Sequence, residues 1–303
     1  MDDVYISVII TAYNRKEYLL DAINSVLNQT LSRKYYEIIV IKNFNDNLID
    51  NFINKNNIKS ILIDGTIGEF LYTGIKESKG EIISFLDDDD LFFINKLEYI
   101  YNLFKNNNMV YYHNLPQFID ENRNIFKKKN NNVSFNISCI SIRKDIINSN
   151  IVKEIFIIPD SLMYYFALES NGIIISNKKI LTYYRFHNSV SNSIEKSELK
   201  ITHKVYLFKS YLSQLELINA TFKNKKVKSI IFNYIITLKL EINIFYKLGH
   251  SNINKKITIM EILKYLFIFN YWDVRRFYIF KYIKLLELLI IPKKLCKIIE
   301  LSY

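Results

Sequence analysis

Cysteine is scarce in this sequence and shows no pattern. Cys139 and Cys296 lie far apart with no partner spacing, which excludes a disulfide framework and a zinc site as organising devices. Cys139 reads instead as a small buried hydrophobe. No positively charged, apolar, small-residue leader precedes the first strand pattern at Val4, so the expectation is a cytoplasmic protein rather than one secreted through a cleaved signal. No internal repeat is present. No window in the C-terminal third reaches the roughly eighteen to twenty charge-poor apolar residues that a membrane-spanning helix needs, and Arg275, Arg276, Lys281, Lys284 and Glu287 interrupt the last apolar segment.

What is present is a chain of 303 residues, half of them hydrophobic, enough to bury a full core in one large domain or two smaller ones. Its charge of +11 is uneven. Residues 1–110 carry 11 Lys and Arg against 16 Asp and Glu, residues 111–195 carry 10 against 7, and residues 196–303 carry 20 against 7. The basic character therefore belongs to the last third. It implies an anionic partner for that third, membrane lipid or nucleic acid, or else a solvated lysine-rich face. The aromatic and basic residues interleave at helical spacing, which suits packing better than an exposed stacking platform, so no nucleic-acid partner is expected. Two readings stay open for 196–303: helices lying in a membrane surface, and a bundle that packs on itself or across a homodimer.

The first third alternates. "VYISVIITAYN" is a β-branched run of strand length, and Leu19, Ala22, Ile23, Val26 and Leu27 follow at helical spacing. "YEIIVIKN", "IKSILID" and "EIISFL" read as further strands, with helical segments "LIDNFINKN" and "IGEFLYTGIKESKG" between them, the second closed by Gly80. Strands alternating with helices imply an α/β fold with a mostly parallel sheet, helices on both faces, and ligands gathered beyond the carboxyl ends of the strands. Beyond residue 111 the alternation loosens. "ENRNIFKKKNNNV" reads as a loop or hairpin tip, "SLMYYFALESNG" as a helix capped by Gly172, and "GIIISNKKILTYYRFH" as a pair of strands.

One such strand end is Asp87-Asp88-Asp89-Asp90. Like charges this close raise one another's pKa unless something positive joins them. In an extended segment Asp87 and Asp89 point to one site while Asp88 and Asp90 face elsewhere. Two convergent carboxylates suit a hard cation, Mg²⁺ or Mn²⁺, that completes its shell with phosphate and water. A solvated turn and helix cap is the alternative.

The succession "SVIITAYNR", "YEIIVIKN", "KGEIISFLDDDDLF", "PDSLMYYFALESNG" and "YYRFHNSVS" resembles the family 2 glycosyltransferases of the GT-A fold over residues 4–195. The resemblance implies a donor-binding half at 1–110, an acceptor-side half at 111–195, and inverting transfer of a sugar from a nucleotide diphosphate to a hydroxyl of a glycan or lipid-linked glycan. Its donor would be a UDP-sugar by family frequency, with a GDP-sugar as the other choice, and it would act on the cytoplasmic side of a membrane. Asp87 and Asp89 resemble the family's DXD motif, Asp89 on the metal and Asp87 on the metal or the ribose, with Asp88 counted among the donor-binding residues. Thr11, Tyr13 and Arg15 match the first nucleotide-contacting loop, Asp160 the catalytic base, and His187 a position that in some members reaches the metal. Gly65 and Gly68 are candidates for close approach of backbone to nucleotide.

The sequence departs from the family where Asp-Asp-Gly-Ser usually follows the second strand. Lys42, Asn43, Phe44 and Asn45 stand there. Asn43 is left to meet a pyrimidine edge and Lys42 a phosphate. That change motivates a reading of another class, a catalytically silent module that binds sugar nucleotides or a partner.

Overall fold

The computed structural model describes residues 4–105, 108–126, 136–186, 197–247, 257–258 and 260–261. The chain divides into two compact units, Met1–Ser189 and Val190–Tyr303.

In the first unit the chain runs β1 (Ile6–Ala12), α1 (Leu19–Leu27), β2 (Tyr36–Lys42), α2 (Asn47–Lys55), β3 (Lys59–Leu62), α3 (Ile67–Glu77), β4 (Ile82–Asp87), β5 (Leu91–Phe92), α4 (Lys96–Lys105), β6 (Met109–Ile119), β7 (Ile140–Arg143), α5 (Ser149–Lys153), α6 (Pro159–Ser170) and β8 (Ile173–Arg185). One sheet holds all eight strands in the order β3-β2-β1-β4-β7-β6-β8-β5. The left half is parallel, as the alternation predicts. β7 enters antiparallel to both β4 and β6, and β6 pairs β8 in parallel.

β1 and β2 are apolar nearly throughout because both faces are covered. Val8, Ile10, Val40 and Leu86 join Leu19, Ile23 and Val26 of α1, Ile53 of α2 and Ile100 of α4 in one buried cluster. On the opposite face Ile9 packs so tightly on α3 that a Cβ at Gly74 would come within 2.6 Å of it.

Three expectations are corrected. Residues 173–185 form a single strand rather than a pair, because shifts of register against β6 absorb the polar interruption at Asn177–Lys179. Asn171, not Gly172, takes the left-handed position that closes α6, at φ 58°; Gly172 is small because a side chain there would strike Val110. Gly80 lies beyond the end of α3, where its N–H donates to Ser7 Oγ at 2.8 Å.

The second unit contains α7 (Ser197–Asn219) and α8 (Lys225–Lys247), which pack on each other, with the rings of Phe208 and Phe245 6.0 Å apart; Leu212, Leu215, Ile231 and Ile235 are buried. Here too a correction is needed: α8 is long and apolar enough by composition to cross a membrane, although half of its apolar window is buried within the structure. The last apolar segment, with Arg275 to Glu287, lies outside the described residues, as do Lys127, Lys128 and Lys129 of the segment read as a loop or hairpin tip, and Cys296.

Candidate functional site

The site is built where β1 and β4 end side by side. Their register pairs Thr11 with Asp87, so the Thr11 hydroxyl donates to Asp87 Oδ1 at 3.3 Å and the Asp88 N–H donates to the Thr11 carbonyl at 3.2 Å. β4 stops at Asp87, and a turn follows in which the Asp90 N–H donates to the Asp87 carbonyl at 3.2 Å. That turn overrides the alternation expected of an extended segment. Ligand oxygens of Asp87, Asp89 and Asp90 lie within 4.8 Å of one another, while Asp88, buried like Asp90, stands outside that group. Asp90 is thus a member of the cluster, contrary to the strand-based expectation.

Each aspartate of the turn has an assigned neighbour. Arg15 Nε donates to Asp88 Oδ1 at 3.1 Å, Arg15 Nη2 also bonds Asp88, and the same Nη2 lies 2.7 Å from Asp89 Oδ2. Asp90 Oδ2 accepts from Asn136 Nδ2 at 3.0 Å and Asp90 Oδ1 from the Arg185 N–H at 3.0 Å. The Asp87 N–H donates to Ser138 Oγ at 3.0 Å. Burial, followed by the charges of Asp89, Asp90 and Asp88, holds the Asp87 carboxyl well above its ordinary range against the opposing pull of Arg15. Burial and the charge of Asp89 push Asp90 up to about 7, against hydrogen bonds from Ser138, Asn136 and the Arg185 N–H. For Arg15, burial pulls the pKa down, but the Asp88 hydrogen bond and the charges of Asp89, Asp88 and Asp87 outweigh it and hold the guanidinium above its usual value.

Two cations behind the turn escaped the sequence reading. Arg185 Nε donates to the Asp89 carbonyl at 2.9 Å, Nη1 to the Glu121 carbonyl at 3.0 Å and Nη2 to Asp21 Oδ2 at 3.2 Å, with its guanidinium 4.4 Å from the centre of the Tyr18 ring. Lys96 is fully buried. Its Nζ donates to the Ser138 carbonyl at 2.6 Å and to Thr182 Oγ1 at 2.9 Å. Burial lowers its pKa to about 7, with Cys139 and Asp90 acting in the other direction. "YYRFH" drew attention to Arg185 only as part of a motif, and a single lysine opening a helix carries no signal at all.

The loop after β1 is tied to the loop after β2. Asn14, left-handed at φ 53°, donates its N–H to Asn43 Oδ1 at 2.8 Å and receives Asn43 Nδ2 on its own Oδ1 at 2.8 Å. Tyr13, 57% exposed, stands edge-on to Phe70 with ring centres 5.9 Å apart. Lys42 does not face a phosphate site: it is buried, with Nζ on the Phe44 carbonyl at 2.6 Å and on Asp50 Oδ1 at 3.0 Å. Gly68 owes its size to packing, because a Cβ there would stand 2.2 Å from the Ile155 carbonyl and 2.4 Å from that of Val152. At Gly65 the space belongs to the Glu69 carboxylate, which completes a capping box with Thr66 at the start of α3.

Asp160 sits in the first turn of α6, after Pro159 and the left-handed Ile158 at φ 60°. It is therefore not the N-cap. Burial raises its pKa, opposed by the backbone N–H of Ser161, which donates to Oδ1 at 2.8 Å. One turn on, Tyr164 places its ring 5.7 Å from that of Tyr111 on β6. The structure thus gathers Thr11, Arg15, Asp87, Asp88 and Asp89 at one rim, and holds Tyr13 and Asn43 on the two joined loops. Asp160 belongs to a separate element, α6, packed on β6 and β7. His187 lies outside the described residues.

Residues 7–168, more than half of the chain, match the family model "Glycosyl transferase family 2". The chain belongs to that family. An uncharacterized glycosyltransferase of Rickettsia bellii is 39% identical over 129 residues, 39% of this chain and 18% of the relative. The poly(ribitol-phosphate) beta-N-acetylglucosaminyltransferase TarP of Staphylococcus aureus is 30% identical over 168 residues, 49% of this chain and 51% of TarP. The chain thus spans about half or less of the length of these curated relatives. Among solved structures, S. aureus TarS 1–349 in complex with UDP-GlcNAc superposes with a TM-score of 0.59 at 15% identity, over 87% of this chain and 79% of that one. This likeness establishes the GT-A fold that the family 2 chain shares with TarS.

Proposed function

We propose that this family 2 chain is an inverting, divalent-metal-dependent glycosyltransferase that moves a sugar from a UDP-sugar to a hydroxyl of a glycan or lipid-linked glycan. The observation that carries the reading is the convergence of Asp87, Asp89 and Asp90 within 4.8 Å at the carboxyl end of the central strands. Three carboxylates in that space form an all-oxygen donor set of the kind that hard cations take, so the residues fit Mn²⁺ or Mg²⁺. When bound, such an ion would neutralise charge developing on a departing diphosphate. The UDP-GlcNAc in the TarS structure supports UDP over GDP.

The chain's own residues supply the rest. Asp87, Asp89 and Asp90 would hold the metal, Thr11 fixes Asp87 by its hydrogen bond, and the exposed ring of Tyr13 offers a face for the base. Asn43, already bonded to Asn14, would present its remaining amide hydrogen toward a pyrimidine edge. Asp160 accepts the proton of the attacking hydroxyl. Burial raises its affinity for that proton, and a well-placed general base contributes roughly 10²- to 10⁴-fold. Attack from the face opposite the diphosphate inverts the anomeric centre. Peripheral contact with the inner face of a membrane, or a homodimer, belongs to the region after residue 195.

One observation favours the silent binding module. Lys42 and Asn43, which stand in for the family's acidic pair, are both engaged within the protein. Mn²⁺-dependent hydrolysis or transfer across a panel of nucleotide sugars decides between the two. Turnover abolished by Asp89→Ala and by Asp160→Asn supports the transferase, whereas wild-type binding without turnover, across several acceptor types, supports the module.

A further inference from the structure

The acidic turn carries a protein cation on one of its own candidate ligands. Arg15 grips two aspartates of different character. Asp88, with a side chain 4% exposed, is not part of the convergent cluster, and it receives both Nε and Nη2. Asp89, 17% exposed, belongs to the cluster and lies 2.7 Å from Nη2. Arg15 itself is 30% exposed and follows directly on the left-handed Asn14. The guanidinium is therefore anchored on the buried side and reaches across to the ligand at the mouth.

We propose that Arg15 is a displaceable counter-cation. It holds Asp89 while no metal is bound, yields that carboxylate to an incoming divalent ion, and pivots on Asp88 to meet the diphosphate of the donor. This rests on the metal-dependent reading above. The physical basis is that a guanidinium and a divalent cation on the same carboxylate repel one another, so one weakens the other. A guanidinium released from Asp89 keeps a planar fork of donors that matches phosphate oxygens. The consequence is linkage. Metal frees Arg15 for the nucleotide, and nucleotide draws Arg15 off the metal ligand, so each raises the affinity of the other by the same factor. An arginine that merely stiffened the turn would do the opposite, since its loss would loosen the ligands and weaken metal binding.

Titration calorimetry of Mn²⁺ into the full chain, with and without UDP, tests this on wild type and on Arg15→Ala. Arg15→Met, which keeps most of the stem, is the second variant should the alanine not fold. The expected result is Mn²⁺ binding to the variant about tenfold tighter than to wild type in the absence of UDP. With Mn²⁺ present, UDP binding should be weaker in the variant, and the gain in Mn²⁺ affinity that UDP gives wild type should be largely lost. Equal or weaker Mn²⁺ binding by the variant without UDP overturns the role given to Arg15 and leaves the metal-dependent reading standing. Absence of Mn²⁺ and Mg²⁺ binding in wild type, with or without UDP, overturns both.

Discussion

Arg185 and Asp90 meet through main chain and side chain: the Arg185 N–H donates to Asp90 Oδ1 at 3.0 Å, while the Arg185 guanidinium, 1% exposed, holds the neighbouring Asp89 carbonyl, the Glu121 carbonyl and Asp21. One buried residue thus fixes the acidic turn from β8 and ties it to α1 and the end of β6. Arg185→Lys retains the charge but replaces a planar fork with a single ammonium that cannot serve three directions. Lysine would leave the Asp89 or Glu121 carbonyl without its donor, and a buried polar group without a partner costs about 1–3 kcal/mol, so the expected loss is about 2 kcal/mol, read from urea unfolding at neutral pH.

Asp90 makes the metal-free protein respond to pH in an unusual direction. Its folded pKa, about 7, stands above that of an unfolded aspartate, near 3.9. Between these values the folded state binds more protons than the unfolded one, so stability falls as pH rises from about 4 to about 7. Asp87, also raised, acts in the same sense. The shift of Asp90 corresponds to at most about 4 kcal/mol, at 1.36 kcal/mol per unit. His113, whose pKa burial lowers to about 4, acts in the opposite sense over much of this range, so the Asp90 contribution is read, with a chelator present, as a difference between two proteins. Asp90→Asn, which keeps the shape and removes the titration, should gain stability relative to wild type as pH rises from 5 to 7.

The residues show where sequence reasoning succeeds and where it stops. β1, β2 and β4 were legible because parallel strands covered on both faces are nearly continuous apolar runs, and Asp87 and Asp89 were legible because four acids at the end of such a run stand out. The grouping of Asp87 and Asp89 with Asp90 was not, since it depends on the chain leaving the strand at Asp87 and turning. Lys96 and Arg185 were opaque for a related reason. Their roles come from partners 42 and 86 residues away for Lys96, and 95 and 164 away for Arg185, and no local pattern encodes such pairings. The displaced role of Lys42 follows from Asp50 on α2, a contact that only the fold creates.

Gly68 gives a direct test of the packing that sets α3 against α5. A methyl group there would meet the carbonyls of Ile155, Val152 and Lys153 at 2.2, 2.4 and 2.9 Å, and these are backbone atoms that no side-chain rotation can move aside. Separating the helices would also break the bond from the Gly68 N–H to the Ile155 carbonyl, 3.1 Å long. Helix propensity favours alanine over glycine by about 1 kcal/mol, while overpacking costs about 1–3 kcal/mol and sometimes more. Steric conflict at this depth wins. Gly68→Ala should be destabilised by about 2 kcal/mol in denaturant unfolding, and a stabilised variant would mean that α5 moves away freely.

The same one-atom deletion at two tyrosines should change stability in opposite directions. Tyr36, 2% exposed, donates its hydroxyl to the Val26 carbonyl at 2.9 Å, joining β2 to the end of α1. Tyr111, 1% exposed, has a buried hydroxyl with no hydrogen-bond partner among the described residues, and burial together with the nearby charge of Asp160 holds its pKa well above the ordinary phenol value. A made hydrogen bond contributes about 1 kcal/mol net, whereas a buried polar group without a partner costs about 1–3 kcal/mol. Tyr36→Phe should therefore lose about 1 kcal/mol and Tyr111→Phe gain about 1 kcal/mol, compared side by side in thermal unfolding of the metal-free chain. If Tyr111→Phe loses stability instead, its hydroxyl is engaged in solution, for instance by an ordered water that completes its hydrogen bonding.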